Sequence, residues 1–236
     1  MIHPPVVIYC DFDGTVTQDD VTDTLLTELA DPNWRLIEAE WEQGLIGSRE
    51  CLARQTPLIR GGWRAIEERL SFIALDQTFS AFGTWCTIQG IPLRIVSDGI
   101  DRVIEVLLAR ANIQVDAIYA NHLVESPAGE LSLTFPYPST QPGCSAGLCK
   151  CGRMEDATDP PLRVVIGDGR SDVCWARRAD WLFAKSWLLA HCRAEGVACI
   201  PFENFNTVRL GIARRLSRQR HLFRTATPLY ASPNVR

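Results

Sequence analysis

Asp11, Asp13, Ser97, Lys150, Asp168 and Asp172 are the residues of this chain whose types and surroundings could do chemistry together. Asp11 and Asp13 stand in VVIYCDFDGTVTQDD, residues 6–20, where an apolar run that reads as a buried strand ends among carboxylates. Two positions apart on extended backbone, they share one face. Like charges so placed raise each other's pKa unless a cation or a set of donors lies between them. The stretch therefore predicts a partner, most simply a divalent metal. Transfer of a phosphoryl group needs a nucleophile, a proton carrier, a metal and fixed positive charge on the equatorial oxygens, and these residues could supply each part. A calcium loop of the D-x-[DN]-x-[DN]-G type does not fit, because Gly14 follows Asp13 directly and no glutamate closes the loop. A P-loop does not fit either, since the chain has no glycine-rich GK[ST].

Something must hold these residues, and the sequence predicts what. Short apolar runs at 6–10, 92–97, 117–124, 163–168, 181–184 and 198–202 read as strands, with helical stretches at 101–113, 171–179 and 186–196 between them. That alternation implies an α/β fold with a parallel sheet covered on both faces. Ligands bind such sheets beyond the carboxyl ends of the strands, and CDFDG, VSDG and IGDG all fall there. Residues 18–90 break the alternation with several helical stretches. In DPNWRLIEAEWEQG, Asp31 reads as N-cap, Pro32 as the first helical residue and Gly44 as the stop. This reads as a helical insertion after the first strand and as a mobile cap over the site, with a permanently packed layer as the alternative.

Taken together, DFDGTVT, the strand ending RIVSDG, an isolated lysine and IGDGRSD resemble the haloacid-dehalogenase-like phosphatases, in family order across residues 11–172. The resemblance implies a Rossmann-like core from residues 1–17 and 91–236, with 18–90 as a helical cap of the phosphoserine-phosphatase type. It makes Asp11 a nucleophile that forms an aspartyl-phosphate and Asp13 the acid and base. Mg²⁺ would take the Asp11 carboxylate, the Asp13 backbone carbonyl and Asp168, with Asp172 orienting the metal shell. Ser97 and Lys150 would grip the phosphoryl oxygens, and Gly14 would leave room for backbone donors near the phosphate. Asp98 joins the candidate phosphate-site residues as a departure: the capped phosphatases often carry glycine there, and a carboxylate adds negative charge near the phosphate unless it points away. Asp20 is nine residues after the nucleophile, where phosphoserine phosphatases carry a glutamate for the substrate amine.

Within the family the likeness is greatest to the 2-hydroxy-3-keto-5-methylthiopentenyl-1-phosphate phosphatases, which share a cysteine-rich loop before the lysine, an IYxNH strand and a C-terminal stretch like FAKSWLLAHCRAEGVACIPFENF. A Mg²⁺-dependent phosphomonoesterase acting on a small phosphorylated metabolite is therefore expected. Phosphoserine phosphatase, a phosphomutase and a phosphate-binding scaffold are the alternatives. Trp34, Trp41, Trp63 and Phe72 could line an apolar substrate pocket or pack the insertion's own core.

Composition fits this reading. A formal charge of −4 argues against a general nucleic-acid binder, and no apolar run approaches the ~20 residues of a membrane span. Of the 24 basic residues only Lys150 and Lys185 are lysines; Lys150 is expected at the phosphate and Lys185 at the surface of a strand end. Nine scattered cysteines and an N-terminal stretch without a signal pattern suggest reduced thiols in the cytoplasm. Cys144, Cys149 and Cys151 are read as loop thiols rather than a zinc site, because C-x4-C-x-C is not a usual finger and lacks a fourth ligand.

Overall fold

The computed structural model describes residues 5–139, 144–154 and 161–225. Seven strands form one sheet: β1 (Val6–Cys10), β2 (Leu93–Ile100), β3 (Ala117–Glu125), β4 (Leu131–Thr134), β5 (Leu162–Gly167), β6 (Trp181–Ala184) and β7 (Ile200–Pro201). Their spatial order is β4-β3-β2-β1-β5-β6-β7, and every pair is parallel except β3 with β4. The chain leaves β1 for β2 and β3 on one side, then returns to β5 on the other. This reversal opens a crevice at the carboxyl end of β1, where Asp11 and Asp13 follow.

Strand β1 is buried at all five positions because both faces are covered. Val6, Ile8 and Cys10 enter an apolar cluster with α5 (Phe79–Gln89), α6 (Asp101–Arg110) and α9 (Phe205–Thr225), while Val7 and Tyr9 enter a second cluster with Trp175, Leu188 and Cys192 from α7 (Val173–Ala176) and α8 (Ser186–Ala194). Alternation along one strand thus fixes two layers of helices. Rings from Phe79 and Phe205, 4.7 Å apart edge to face, lock α5 to α9.

Between β1 and α5 lie α1 (Val21–Leu29), α2 (Trp34–Glu42), α3 (Ser48–Gln55) and α4 (Gly62–Arg69). The chain enters and leaves this helical group through one neck, where Gln18 donates to the Ala74 carbonyl at 3.1 Å and Asp76 to that of Val16 at 2.8 Å. Helix α5 lies on the sheet side of that neck. Leu25, Leu26, Ile59 and Ile66 share the apolar cluster of Ile100, Leu123 and Leu131, so the helical group packs directly on the sheet. Trp34 and Trp63 belong to the same cluster, covered by Arg35 and Arg102, whereas Phe72 is 79% exposed.

Several elements differ from expectation at their ends. Helix α2 begins at Trp34, because the Asp31 side chain accepts from Asn33 N–H at 3.1 Å and makes a turn of Asp31–Asn33 before the helix. Gly44 stops the helix as expected, with φ +72°. Strand β2 runs through Ser97 to Ile100, with a register shift against β3 between Val96 and Ile100. Strand β4, a short antiparallel edge, has no counterpart among the expected strands.

Candidate active site

The sheet's central strands deliver the expected residues to one crevice. Asp11 follows β1, whose last rung is closed by Asp11 N–H donating to the Ile166 carbonyl at 2.9 Å. Its Oδ1 accepts from Phe12 N–H at 2.8 Å and lies 2.7 Å from Lys150 Nζ. Lys150 is buried, at 1% exposure, on a short 3₁₀ turn, and its Nζ also lies 2.7 Å from Asp172 Oδ1. Burial would depress this ammonium, but Asp11 and Asp172 together hold it above its ordinary value. Trp175 presents its ring face 5.1 Å from Nζ.

Asp172 spends Oδ2 on the backbone N–H groups of Asp168 and Gly169, both at 3.0 Å, so it ties the turn after β5 to the lysine. Asp168 Oδ1 accepts from Thr15 Oγ1 at 2.7 Å. Gly14 has φ +68°, and a Cβ there would lie 2.6 Å from Asp168 Oδ2; a side chain would collide with this carboxylate as well as strain the backbone. The Ser97 hydroxyl accepts from Gly99 N–H at 3.0 Å and faces Asp13 Oδ2 at 3.5 Å. Asp13 Oδ1 accepts from Val21 N–H, 3.3 Å away at the start of α1.

The electrostatics of this cluster are lopsided. Burial, then Asp172, raises the Asp11 carboxyl well above its usual range despite Lys150. Burial, then Asp20, raises Asp13 well above it, against the Val21 N–H bond. Burial raises Asp168 against its bond from Thr15. One carboxylate oxygen from each of Asp11, Asp168 and Asp172 lies within 4.8 Å of the others, the grouping among the described residues that could hold a metal. Hard oxygen ligands in a surplus of buried negative charge fit a divalent cation such as Mg²⁺.

The remaining candidates have other partners. Asp98 is part-buried, and its oxygens accept from protein donors: Oδ1 from Asn121 Nδ2 at 3.0 Å and Leu148 N–H at 2.8 Å, Oδ2 from Ser48 Oγ at 2.5 Å. Burial pushes its carboxyl up, while these donors pull it back. Asp20 caps α1, accepting from Asp23 N–H at 3.0 Å. Loss of hydration in the cleft, then Asp23, pushes its carboxyl up to about 6, although the side chain is solvent-exposed and water limits that push. Lys185 is no surface lysine: it is half-buried and donates to the Thr15 carbonyl at 3.2 Å, bracing the residue that holds Asp168. Cys149 and Cys151 flank Lys150 with sulfurs 3.3 Å apart, and all nine cysteines are free thiols. Thr15, Ser48, Asn121 and Lys185 were not singled out for the site by sequence reasoning, although Thr15, Asn121 and Lys185 stand in stretches that carry the family resemblance, and Ser48 alone lies outside them.

Residues 8–177 match the family of haloacid dehalogenase-like hydrolases. The chain belongs to that family. Curated relatives of this hydrolase include 2-hydroxy-3-keto-5-methylthiopentenyl-1-phosphate phosphatases from Bacillus velezensis, 29% identical with 90% of this chain and 91% of the relative covered, and from Geobacillus kaustophilus, 30% identical with 85% and 92% covered. A third, from Brevibacillus brevis, is 31% identical with 78% and 84% covered. Among solved structures, a phosphoserine phosphatase described as a phospho-aspartyl intermediate analogue superposes with a TM-score of 0.64 at 16% identity, covering 87% of this chain and 97% of that one. The latter likeness carries the fold.

Proposed function

We propose that this hydrolase is a phosphomonoesterase in which Asp11 is the nucleophile. The observation that carries the reading is the pairing of Lys150 Nζ with Asp11 Oδ1 at 2.7 Å, with Asp13 after β1 facing Ser97 in the carboxyl half of β2. In the first half-reaction an Asp11 oxygen bonds to phosphorus as the ester P–O bond breaks, and Asp13 delivers its proton to the leaving alkoxide. The raised Asp13 carboxyl suits it to hold that proton. In the second half-reaction Asp13, now a carboxylate, takes a proton from the water that attacks phosphorus and releases Asp11. Lys150 orients Asp11 and, with Ser97, faces the equatorial oxygens. The carboxylates of Asp11 and Asp168 and the Asp13 backbone carbonyl would hold Mg²⁺, backed by Asp172, which when bound supplies charge neutralisation for the phosphoryl group. Residues 18–75 would form the cap, and α5 would belong to the core. This gives the cap a nearer end than residue 90.

Asp98 and Asp20 have lesser parts in this reading. The Asp98 carboxylate is held by Ser48, Asn121 and Leu148 rather than offered to a phosphate. Asp20, bound to the start of α1, is left a neighbour of Asp13 rather than a hook for an amine.

The substrate we infer is 2-hydroxy-3-keto-5-methylthiopentenyl-1-phosphate, and cytoplasmic methionine salvage is the corresponding setting. Support comes from relatives of that name matched over more than three-quarters of this chain. The test is hydrolysis of this compound against phosphoserine, with and without Mg²⁺. A buried methylthioethyl tail worth roughly three methylenes contributes about 2.4 kcal/mol, on the order of 50-fold. A kcat/KM preference of at least about that factor is expected; equal or better hydrolysis of phosphoserine overturns the substrate while leaving the phosphatase reading intact.

A further inference from the structure

Gly147 to Lys150 are buried in succession, and this segment is held by groups from two other parts of the chain. Leu148 N–H donates to Asp98 Oδ1 at 2.8 Å, and Gly147 N–H to Ser48 Oγ at 3.2 Å. The same Ser48 hydroxyl donates to Asp98 Oδ2 at 2.5 Å, closing a loop of hydrogen bonds between α3, β2 and the lysine segment. Arg49 N–H adds a bond to the Ser145 carbonyl at 3.2 Å. Asn121 on β3 anchors the far side, donating to both the Asp98 carbonyl at 2.6 Å and Oδ1 at 3.0 Å. The fit is close: a Cβ on Gly147 would lie 2.6 Å from Asp98 Oδ1 and 3.0 Å from the Phe135 ring.

We propose that Ser48 and Asp98 are positioning residues for Lys150, a latch through which the inserted helices set the lysine against Asp11. Leu148 is two residues before Lys150, so fixing its N–H limits where the ammonium can stand. A carboxylate accepting from a hydroxyl and two N–H donors in a part-buried setting is a strong, directional tie. Asp98 therefore has a task here. It supplies the acceptor that reaches both the insertion and the lysine segment, and glycine could not. The kinetic part of this inference rests on the phosphatase reading above; the structural part does not.

Hydrogen–deuterium exchange on the whole protein and steady-state kinetics test it together. In Ser48→Ala, residues 145–151 are expected to exchange at least about tenfold faster while Trp34–Glu42 and the melting temperature keep their wild-type values. On the substrate it turns over, kcat is expected to fall about tenfold or more with KM changed by less than about threefold, because the loss acts on Lys150 at the reacting carboxylate. Ser48→Thr, which keeps the hydroxyl, is expected to retain both wild-type values, and Asp98→Gly to repeat the Ser48→Ala pattern. Unchanged exchange at 145–151, loosening spread over the whole insertion, equal losses in Ser48→Ala and Ser48→Thr, or Asp98→Gly with wild-type or higher kcat and tighter inhibition by inorganic phosphate would each overturn the latch. If no phosphate ester is turned over, the kinetic arm falls with the phosphatase reading, and the exchange result still decides the latch.

Discussion

Asp13 and the two lysines separate roles that a bare cluster of charges leaves merged. Asp13 is half-buried, raised well above the usual carboxylate range, and within reach of both Ser97 and the start of α1. As proton donor it matters most where the leaving group is a poor one. Asp13→Asn is expected to lower the rate on an alkyl phosphate by about 10²-fold or more, and on an activated aryl phosphate much less; equal losses on the two would contradict the role. Lys150 touches Asp11 and Asp172, whereas Lys185 reaches the site through backbone, its Nζ on the Thr15 carbonyl and its N–H on that of Gly167. Lys150→Ala is therefore expected to abolish measurable turnover. Lys185→Ala should cost no more than about tenfold, the low end for a residue that orients a ligand from behind. The reverse order in a side-by-side assay would overturn the assignment. Lys185 was misread from sequence because its signal, a lone lysine after an apolar strand, is that of any solvated strand end; only the fold brings Thr15 beside it.

Elements explain why so much was legible and where legibility stopped. The buried strands β1, β2, β5 and β6 are apolar runs backed by helices on both faces, so composition alone marks them, and the functional residues follow their carboxyl ends or, for Ser97 and Asp98, stand in the last half of β2. Strand β4 exposes alternate residues at the sheet's edge and pairs with β3 alone, so LSLT gave only four positions of weak alternation. Asp31 was a sound helix-start signal, yet Asx-turn geometry delays α2 to Trp34. Ser48 was invisible for a different reason: its partners lie 50 and 99 positions away, which no local pattern encodes. The turn at Gly14 makes its own prediction. Gly14→Ala puts a Cβ at φ +68° against Asp168, a cost of roughly 1 to 2 kcal/mol in backbone strain before any displacement of the carboxylate. A lowered melting temperature with activity lost in parallel is expected; a variant as stable and active as wild type would remove the close approach from the account.

At the scale of the whole molecule, the fold concentrates buried negative charge in one crevice and packs an apolar cluster on each face of the sheet below it. The helical group expected as a mobile cap shares its apolar cluster with the sheet, so any opening movement must expose Leu25, Leu26 or their partners. Among the described residues no helix is long and apolar enough to cross a membrane. The charge surplus links metal to stability. An ion bound by the native carboxylates alone stabilises the fold by about 2.7 kcal/mol at roughly a hundredfold excess over its Kd. Addition of Mg²⁺ is expected to raise the melting temperature of the metal-stripped protein by several degrees and to leave Asp168→Asn nearly unmoved. A shift of equal size in Asp168→Asn would locate the ion elsewhere. The most direct test of the covalent route is acid quenching after rapid mixing with substrate and Mg²⁺, followed by mass analysis of the peptides. One phosphoryl group on the peptide holding Asp11, absent in a folded Asp11→Asn variant that also lacks turnover, is the expected result; turnover by Asp11→Asn comparable to wild type, or phosphoryl transfer to another residue, would contradict it.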